Sequence, residues 1–256
     1  MEREKKILRL GKGIYLLPNL FTTGALFAGF YAIIMATQDR FNEAAIGVFV
    51  AMILDSLDGR VARLTNTQSA FGAEYDSLSD MVSFGLAPAL VMYEWALHGL
   101  GKLGWLAAFV YTAGAALRLA RFNTQVGIAD KRYFQGLPSP AAAGVVVGLV
   151  WVADDYGISG HTLNVLAVAV TILMGLLMVS NIRYNSFKDL DLRGKVPFVA
   201  VLLIVLAFVL ISLDPPQVLF GVLLLYALAG PVLTLVFLRK RRAERRARSA
   251  QSPPST

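Results

Sequence analysis

Five stretches of this chain run without a charged side chain for long enough to cross a hydrocarbon core of about 30 Å: residues 13–38, 133–153, 156–182, 196–213 and 215–238. A soluble domain has too little interior to hide that much apolar surface. With 56% hydrophobic and 16% charged residues over 256 positions, the chain is expected to be an all-α integral membrane protein. Three further apolar runs, 44–54, 81–93 and 103–117, are too short to cross at about 1.5 Å per residue unless each helix takes in the charges beside it. Those charges are Asp55 and Asp58, Asp76 and Asp80, and Arg118 and Arg121. Including them gives about eight transmembrane helices, with both termini on one side.

Basic residues set the orientation. Of 24 Lys and Arg, 22 fall in segments that share one side when the N-terminus is inside, and only Arg40 and Lys102 fall on the other. Positive charge is retained on the cytoplasmic side, so both termini and the Asp-rich stretch are assigned there. Trp95, Trp105 and Trp151 lie near the opposite helix ends, as an aromatic belt would. The first apolar run follows MEREKKILRLGKG, which has the look of a secretory leader, but no small-residue cleavage site comes after it. It is expected to be retained as the first helix.

No internal repeat is visible. The membrane domain is assigned to 1–238, and 239–256 is expected to be a disordered, basic cytoplasmic tail. Its seven Lys and Arg between 239 and 248 suit anionic membrane lipids. No aromatic residue interleaves them and no recognition motif accompanies them, so no nucleic-acid partner is expected.

The stretch LDSLDGRVARLTNTQSAFGAEYDSLSDMVSFG sets Asp55, Asp58, Asp76 and Asp80 among apolar segments. A carboxylate near the centre of a membrane helix costs on the order of 2.5–3.5 kcal/mol by insertion scales, so four of them need a partner. Asp55 and Asp58 share a helix face at i, i+3, and Asp76 and Asp80 share one at i, i+4. An antiparallel pair of helices would converge all four. Zero cysteines and two distant histidines, His98 and His161, leave oxygen as the donor type. Carboxylate-rich clusters suit hard divalent ions, Mg²⁺ or Mn²⁺, and four acids suffice for two ions about 3.5–4 Å apart. Such a pair binds phosphates. Gly59, Ala62 and Gly72 lack bulk where a flat ligand would approach the backbone, and Arg63 with Arg60 would clamp a phosphate. The competing reading is close helix packing by the small residues and interfacial anchoring by the arginines.

Asp55, Asp58, Gly59, Ala62, Arg63, Gly72, Asp76 and Asp80 together resemble the signature DxxDGxxARx8GxxxDxxxD of the CDP-alcohol phosphotransferases, with every fixed position and gap matched. The resemblance implies a membrane enzyme that displaces CMP from a CDP-linked substrate by an alcohol, using divalent metal. It makes Asp55, Asp58 and Asp76 metal ligands, and Asp80 a ligand or neighbour that takes the acceptor's proton. Gly59 and Ala62 would border the cytidine and Arg63 would reach the diphosphate. Asn19 and Thr22, in LPNLFT, are added as candidates to line the nucleotide site, although Asn19 also suits a helix cap.

Other segments resemble one branch, the bacterial membrane-spanning phosphatidylserine synthases: LPNLFTTGALFAGFYAI, VSFGLAPAL, ALRLARFN, FQGLPSPAAAG and VSNIRYNSFKDLD. This implies CDP-diacylglycerol and L-serine as substrates, a homodimer, and the cytoplasmic membrane of a bacterium. Free serine carries a carboxylate, which an arginine fork suits. Arg118, Arg121 and Asn123 form one candidate pocket, and Arg183, Tyr184 and Lys188 a second polar cluster on the same side. Positive-inside anchoring and loop solvation are the competing readings of these residues. Pro138 and Pro140 are expected to fix the entry to helix five. Glycerol phosphate or inositol phosphate would be held by the same arginines. An ion-coupled transporter would also explain intramembrane acids, but transporters place them near the midplane within repeats.

Overall fold

The computed structural model describes residues 16–125, 133–185 and 198–251. The chain is helical almost throughout, as expected. It opens on α1 (Leu16–Ala36) and α2 (Phe41–Leu64), joined by a short turn in which Asp39 takes a positive φ of 58°. Ala25, Ala28, Ala32 and Ala36 put small side chains on one face of α1, and Ala44, Val48 and Ala51 answer from α2. A Cβ at Gly47 would stand 3.0 Å from the Ala28 carbonyl oxygen, so the two backbones nearly touch. In lipid, where apolar surface gains little by leaving the solvent, such close packing of small residues holds helices together.

After a turn at 65–69, Ser69 caps α3 (Ala70–Asp80), its Oγ accepting from the Gly72 N–H at 3.0 Å. The helical path then continues unbroken. A π segment (Met81–Leu86) leads into α4 (Ala87–Met92), a second π segment (Tyr93–Leu97) and a 3-10 turn (His98–Leu100). Pro88 accounts for the first widening: it has no N–H, and its ring crowds the carbonyl four residues back. That carbonyl, on Phe84, instead accepts from the hydroxyl of fully buried Tyr111 at 2.9 Å. Gly101, at φ 56°, turns the chain into α5 (Lys102–Gln125), which carries Tyr111.

Next come α6 (Ser139–Asp155), α7 (Asn164–Val179), α8 (Phe198–Leu213) and α9 (Pro215–Gln251). α6 is the most enclosed, with Ala141 through Val150 buried. α5 meets α7 where glycines face each other: a Cβ at Gly114 would lie 2.5 Å from the Gly175 carbonyl oxygen.

Three details differ from expectation. A two-stranded antiparallel ladder interrupts the all-α pattern, pairing β1 (Tyr133–Gln135) with β2 (Arg183–Asn185) in the register Phe134↔Tyr184. It ends at Gly136, whose φ of 79° and whose approach to the Met178 carbonyl exclude a side chain, and α6 therefore starts at Ser139 after Pro138. Trp95 is buried, so its ring is not part of an exposed belt, whereas Trp105 is half exposed. Helix α9 runs through the basic stretch to Gln251, where an unstructured tail was expected.

Among the described residues three helices are long and apolar enough to cross a membrane, at Leu17–Ala36, Lys102–Thr124 and Pro215–Thr234; Asn164–Val179 is apolar but shorter.

Candidate active site

The signature residues come from two elements, with a third packed against both. Asp55 and Asp58 lie in the C-terminal half of α2, Asp76 and Asp80 close α3, and α1 packs against both elements. Two serines fix the height of α3 along α1. Ser79 Oγ donates to the Thr22 carbonyl at 3.1 Å, and one turn on Ser83 Oγ donates to the Ala25 carbonyl at 3.0 Å. Both serines are buried, and Gly29 leaves the room that Ser83 occupies: a Cβ there would stand 2.7 Å from the Ser83 Cα. Neither serine was singled out from sequence, although Ser79 lies inside DSLSD, immediately before Asp80.

This clamp brings one carboxylate oxygen each from Asp55, Asp76 and Asp80 within 4.8 Å of one another. Asp55 stands beside Asp80, and Asp58 beside Asp76. Asp58 has a further partner of its own. It is buried, and its Oδ2 accepts from the Thr22 hydroxyl at 2.7 Å. Asp76 Oδ1 is buried with no hydrogen-bond partner. A buried carboxylate oxygen left without a donor is costly, and several gathered together repel one another. Hard, anionic oxygens so arranged fit a hard divalent cation, Mg²⁺ or Mn²⁺.

The residues proposed for the nucleotide lie around the same end. A side chain at Gly72 would press on Asn19 Oδ1 at 3.4 Å and Ser69 Oγ at 3.1 Å, so Asn19 and Gly72 are neighbours. At Gly59 a Cβ would meet nothing nearer than Arg63 Nη1, at 3.7 Å. Ala62 is half-buried beside exposed Arg63. Thr23, next to Thr22, shares a 2.9 Å hydrogen bond with the Tyr75 hydroxyl, and Tyr75 stacks on Phe71.

The candidates for the acceptor separate into two groups. Arg118 stands within electrostatic range of Asp80, Tyr226 of α9, Tyr111 and Asp55. Its Nη1 donates to Ser139 Oγ at 2.7 Å. Asn123 Nδ2 donates to Ser77 Oγ at 3.0 Å, which ties it to the residue after Asp76. Arg121 reaches the Ser180 carbonyl and Asn181 Oδ1, both at 3.4 Å. Arg183 and Tyr184 sit on β2. Tyr184 is buried, its hydroxyl donates to the Ala227 carbonyl at 3.0 Å, and its ring lies against Tyr226. Lys188 lies outside the described residues.

Known proteins share this arrangement of sequence. The family model described as CDP-alcohol phosphatidyltransferase matches residues 15–177. A Helicobacter pylori J99 protein named CDP-diacylglycerol–serine O-phosphatidyltransferase is 39% identical over 223 residues, covering 87% of this chain and 94% of the relative. A Bacillus subtilis protein of the same name is 34% identical over 173 residues, covering 67% of this chain and 91% of the relative. One from Methanocaldococcus jannaschii is 43% identical over 142 residues, covering 56% and 63%.

Proposed function

Because this chain belongs to the CDP-alcohol phosphatidyltransferase family, we propose that it transfers the phosphatidyl group of CDP-diacylglycerol to the hydroxyl of L-serine, releasing CMP. The convergence of Asp55, Asp76 and Asp80 carries this reading, because acids from two helices meeting among apolar segments fit a divalent cation that would hold a diphosphate. The names of the relatives favour serine over glycerol phosphate or inositol phosphate as acceptor.

Asp55, Asp58, Asp76 and Asp80 would hold divalent metal, Mg²⁺ or Mn²⁺, as two ions. Bound there, it would neutralise the diphosphate and stabilise the departing CMP. The chain's own groups do the rest. Asp80 accepts the proton of the seryl hydroxyl as its oxygen bonds to the phosphatidyl phosphorus and the bond to the CMP oxygen breaks. Thr22 holds Asp58 in place. Gly59, Ala62 and Gly72 leave room for the cytidine beside Asn19, and Arg63 reaches the diphosphate. Arg118 meets the serine carboxylate, with Arg121 and Asn123 completing that side of the pocket.

In this reading the eight helical rods span the cytoplasmic membrane of a bacterium. Both termini and the acids face the cytoplasm, and the lipid's acyl chains stay in the bilayer. The basic end of α9 lies against anionic lipid headgroups, and the enzyme works as a homodimer.

The test is CMP release from CDP-diacylglycerol in detergent, with each candidate acceptor, for the wild type and Asp80→Asn. Serine-dependent release that yields phosphatidylserine and is lost in Asp80→Asn supports the proposal. Release driven by glycerol phosphate or inositol phosphate overturns the acceptor, and metal-independent silence with every acceptor overturns the chemistry.

A further inference from the structure

Arg118 is a cation set deep among apolar helices, and its hydrogen bonds are unevenly used. One nitrogen, Nη1, is taken up by Ser139 at 2.7 Å. Another, Nε, is buried and has no partner. The acids beside it do not take it: among the described residues the ion pair within 4.0 Å is that of Arg40 and Glu43, and Arg118 forms none with Asp55 or Asp80. An arginine next to carboxylates normally closes on one in a two-pronged pair. Here the guanidinium is held back from them, with its Nε donor buried and unpaired.

Ser139 is what holds it. The residue is 0% exposed and sits at the first position of α6, inside the LPSP turn. A serine at a helix start ordinarily uses its hydroxyl to cap the backbone, yet α6 has Pro138 as its cap residue and no side-chain cap. Its oxygen is instead spent across 21 residues of sequence on Arg118. Pro138 and Gly136 fix where that hydroxyl stands, since Gly136 lies against the Met178 carbonyl and its N–H bonds the Ile182 carbonyl at 2.9 Å.

We propose that Ser139 is a positioning residue for the acceptor: its hydroxyl fixes the Arg118 guanidinium so that it does not close on Asp80 or Asp55 and stays free to pair with the carboxylate of the incoming amino acid. This rests on the reading that Arg118 meets an anionic acceptor. An oriented guanidinium binds a carboxylate without first giving up its own rotamer freedom. Losing the orientation therefore weakens acceptor binding before it affects the lipid substrate, which contacts other residues.

The experiment compares the wild type with Ser139→Ala and Ser139→Cys, the second keeping the volume of the side chain while replacing its oxygen with a weak acceptor. CMP release is measured against L-serine and, separately, against CDP-diacylglycerol, alongside thermal melting in detergent. The expected result is a KM for L-serine raised roughly tenfold in both variants, the loss of one hydrogen bond to a charged group. KM for CDP-diacylglycerol and the melting temperature stay at wild-type values. An unchanged serine KM in Ser139→Cys overturns the role of Ser139 while leaving serine transfer standing. Equal rises in both KM values overturn it as well, because they mark a general loss of structure. A wild type that uses glycerol phosphate in place of serine overturns the function proposed above, and the same comparison with that acceptor still decides Ser139.

Discussion

The Thr22 hydroxyl on α1 donates to Oδ2 of buried Asp58 on α2 at 2.7 Å, while the Thr22 carbonyl accepts from Ser79 on α3. One residue thus binds the two acid-bearing elements, by its side chain to one and its backbone to the other. Thr22→Val removes the first bond and keeps the second. The cost of a lost hydrogen bond to a carboxylate is about 1.5–3 kcal/mol, so CMP release is expected to fall at least roughly tenfold at limiting Mg²⁺. Thr22→Ser is expected to stay near wild type. A metal titration of both variants checks this, and an unchanged half-saturating concentration in Thr22→Val counts against Asp58 as a ligand.

Metal removal gives the most direct check of the acid cluster. Enzyme stripped with a chelator is expected to release no CMP and to recover on addition of Mg²⁺ or Mn²⁺, with Ca²⁺ differing because it prefers more ligands at longer distance. Asp76→Asn is expected to lose more than about a hundredfold, beyond the 10–100-fold typical of groups that only support a metal ligand. The assay is CMP release at saturating metal, with melting curves to show that the variant is folded.

Much of this site could be read from the chain, because a membrane interior makes charges conspicuous. Four aspartates at spacings of three and four, in apolar surroundings, announce their own convergence. The small residues between them follow the same logic. Arg118 was legible as a polar residue out of place, but its partner was not, since Ser139 lies 21 residues away and its type suits a helix cap equally well. Tyr184 has contacts that its sequence position does not announce. Its position in a polar loop suggested a ligand contact, yet its ring fills the space over Gly230 and its hydroxyl serves α9. Nothing local distinguishes those two uses of a tyrosine. The β1–β2 ladder was missed because three-residue strands carry no periodicity to detect.

Packing at the α5–α7 contact leads to a stability prediction. A Cβ at Gly114 would meet the Gly175 carbonyl at 2.5 Å, and one at Gly175 would meet the Tyr111 Cα at 2.8 Å. Gly114→Val is expected to force the helices apart at a cost of about 1–3 kcal/mol or more, lowering the melting temperature in detergent. Because Tyr111 and Arg118 are on the same helix, loss of activity should follow the loss of fold. Full stability in Gly114→Val would contradict this contact.

The absence of cysteine makes the membrane orientation easy to test. Gln68 and Lys102 are both exposed and lie at opposite ends of the path from α3 to the 3-10 turn. With Gln68→Cys and Lys102→Cys in intact spheroplasts, a membrane-impermeant maleimide is expected to label position 102 alone. Inverted vesicles should reverse the pattern. Labelling of position 68 from outside would turn the proposed orientation over.

Pro88 gives the helix after Asp80 a history as well as a shape. A π segment winds like an α-helix into which one residue has been inserted, and here Ala87 bonds back to Val82 in place of Ser83. Deleting a single residue between 81 and 86 would restore ordinary winding and leave the helix beyond on its present face, whereas the same deletion in the regular helix on either side would turn everything beyond by about 100°. The half carrying Asp76 and Asp80 and the half that receives Tyr111 therefore keep their relative phase across one additional amino acid. Related chains are expected to absorb the loss of one residue in this short stretch more readily than in the helix on either side of it.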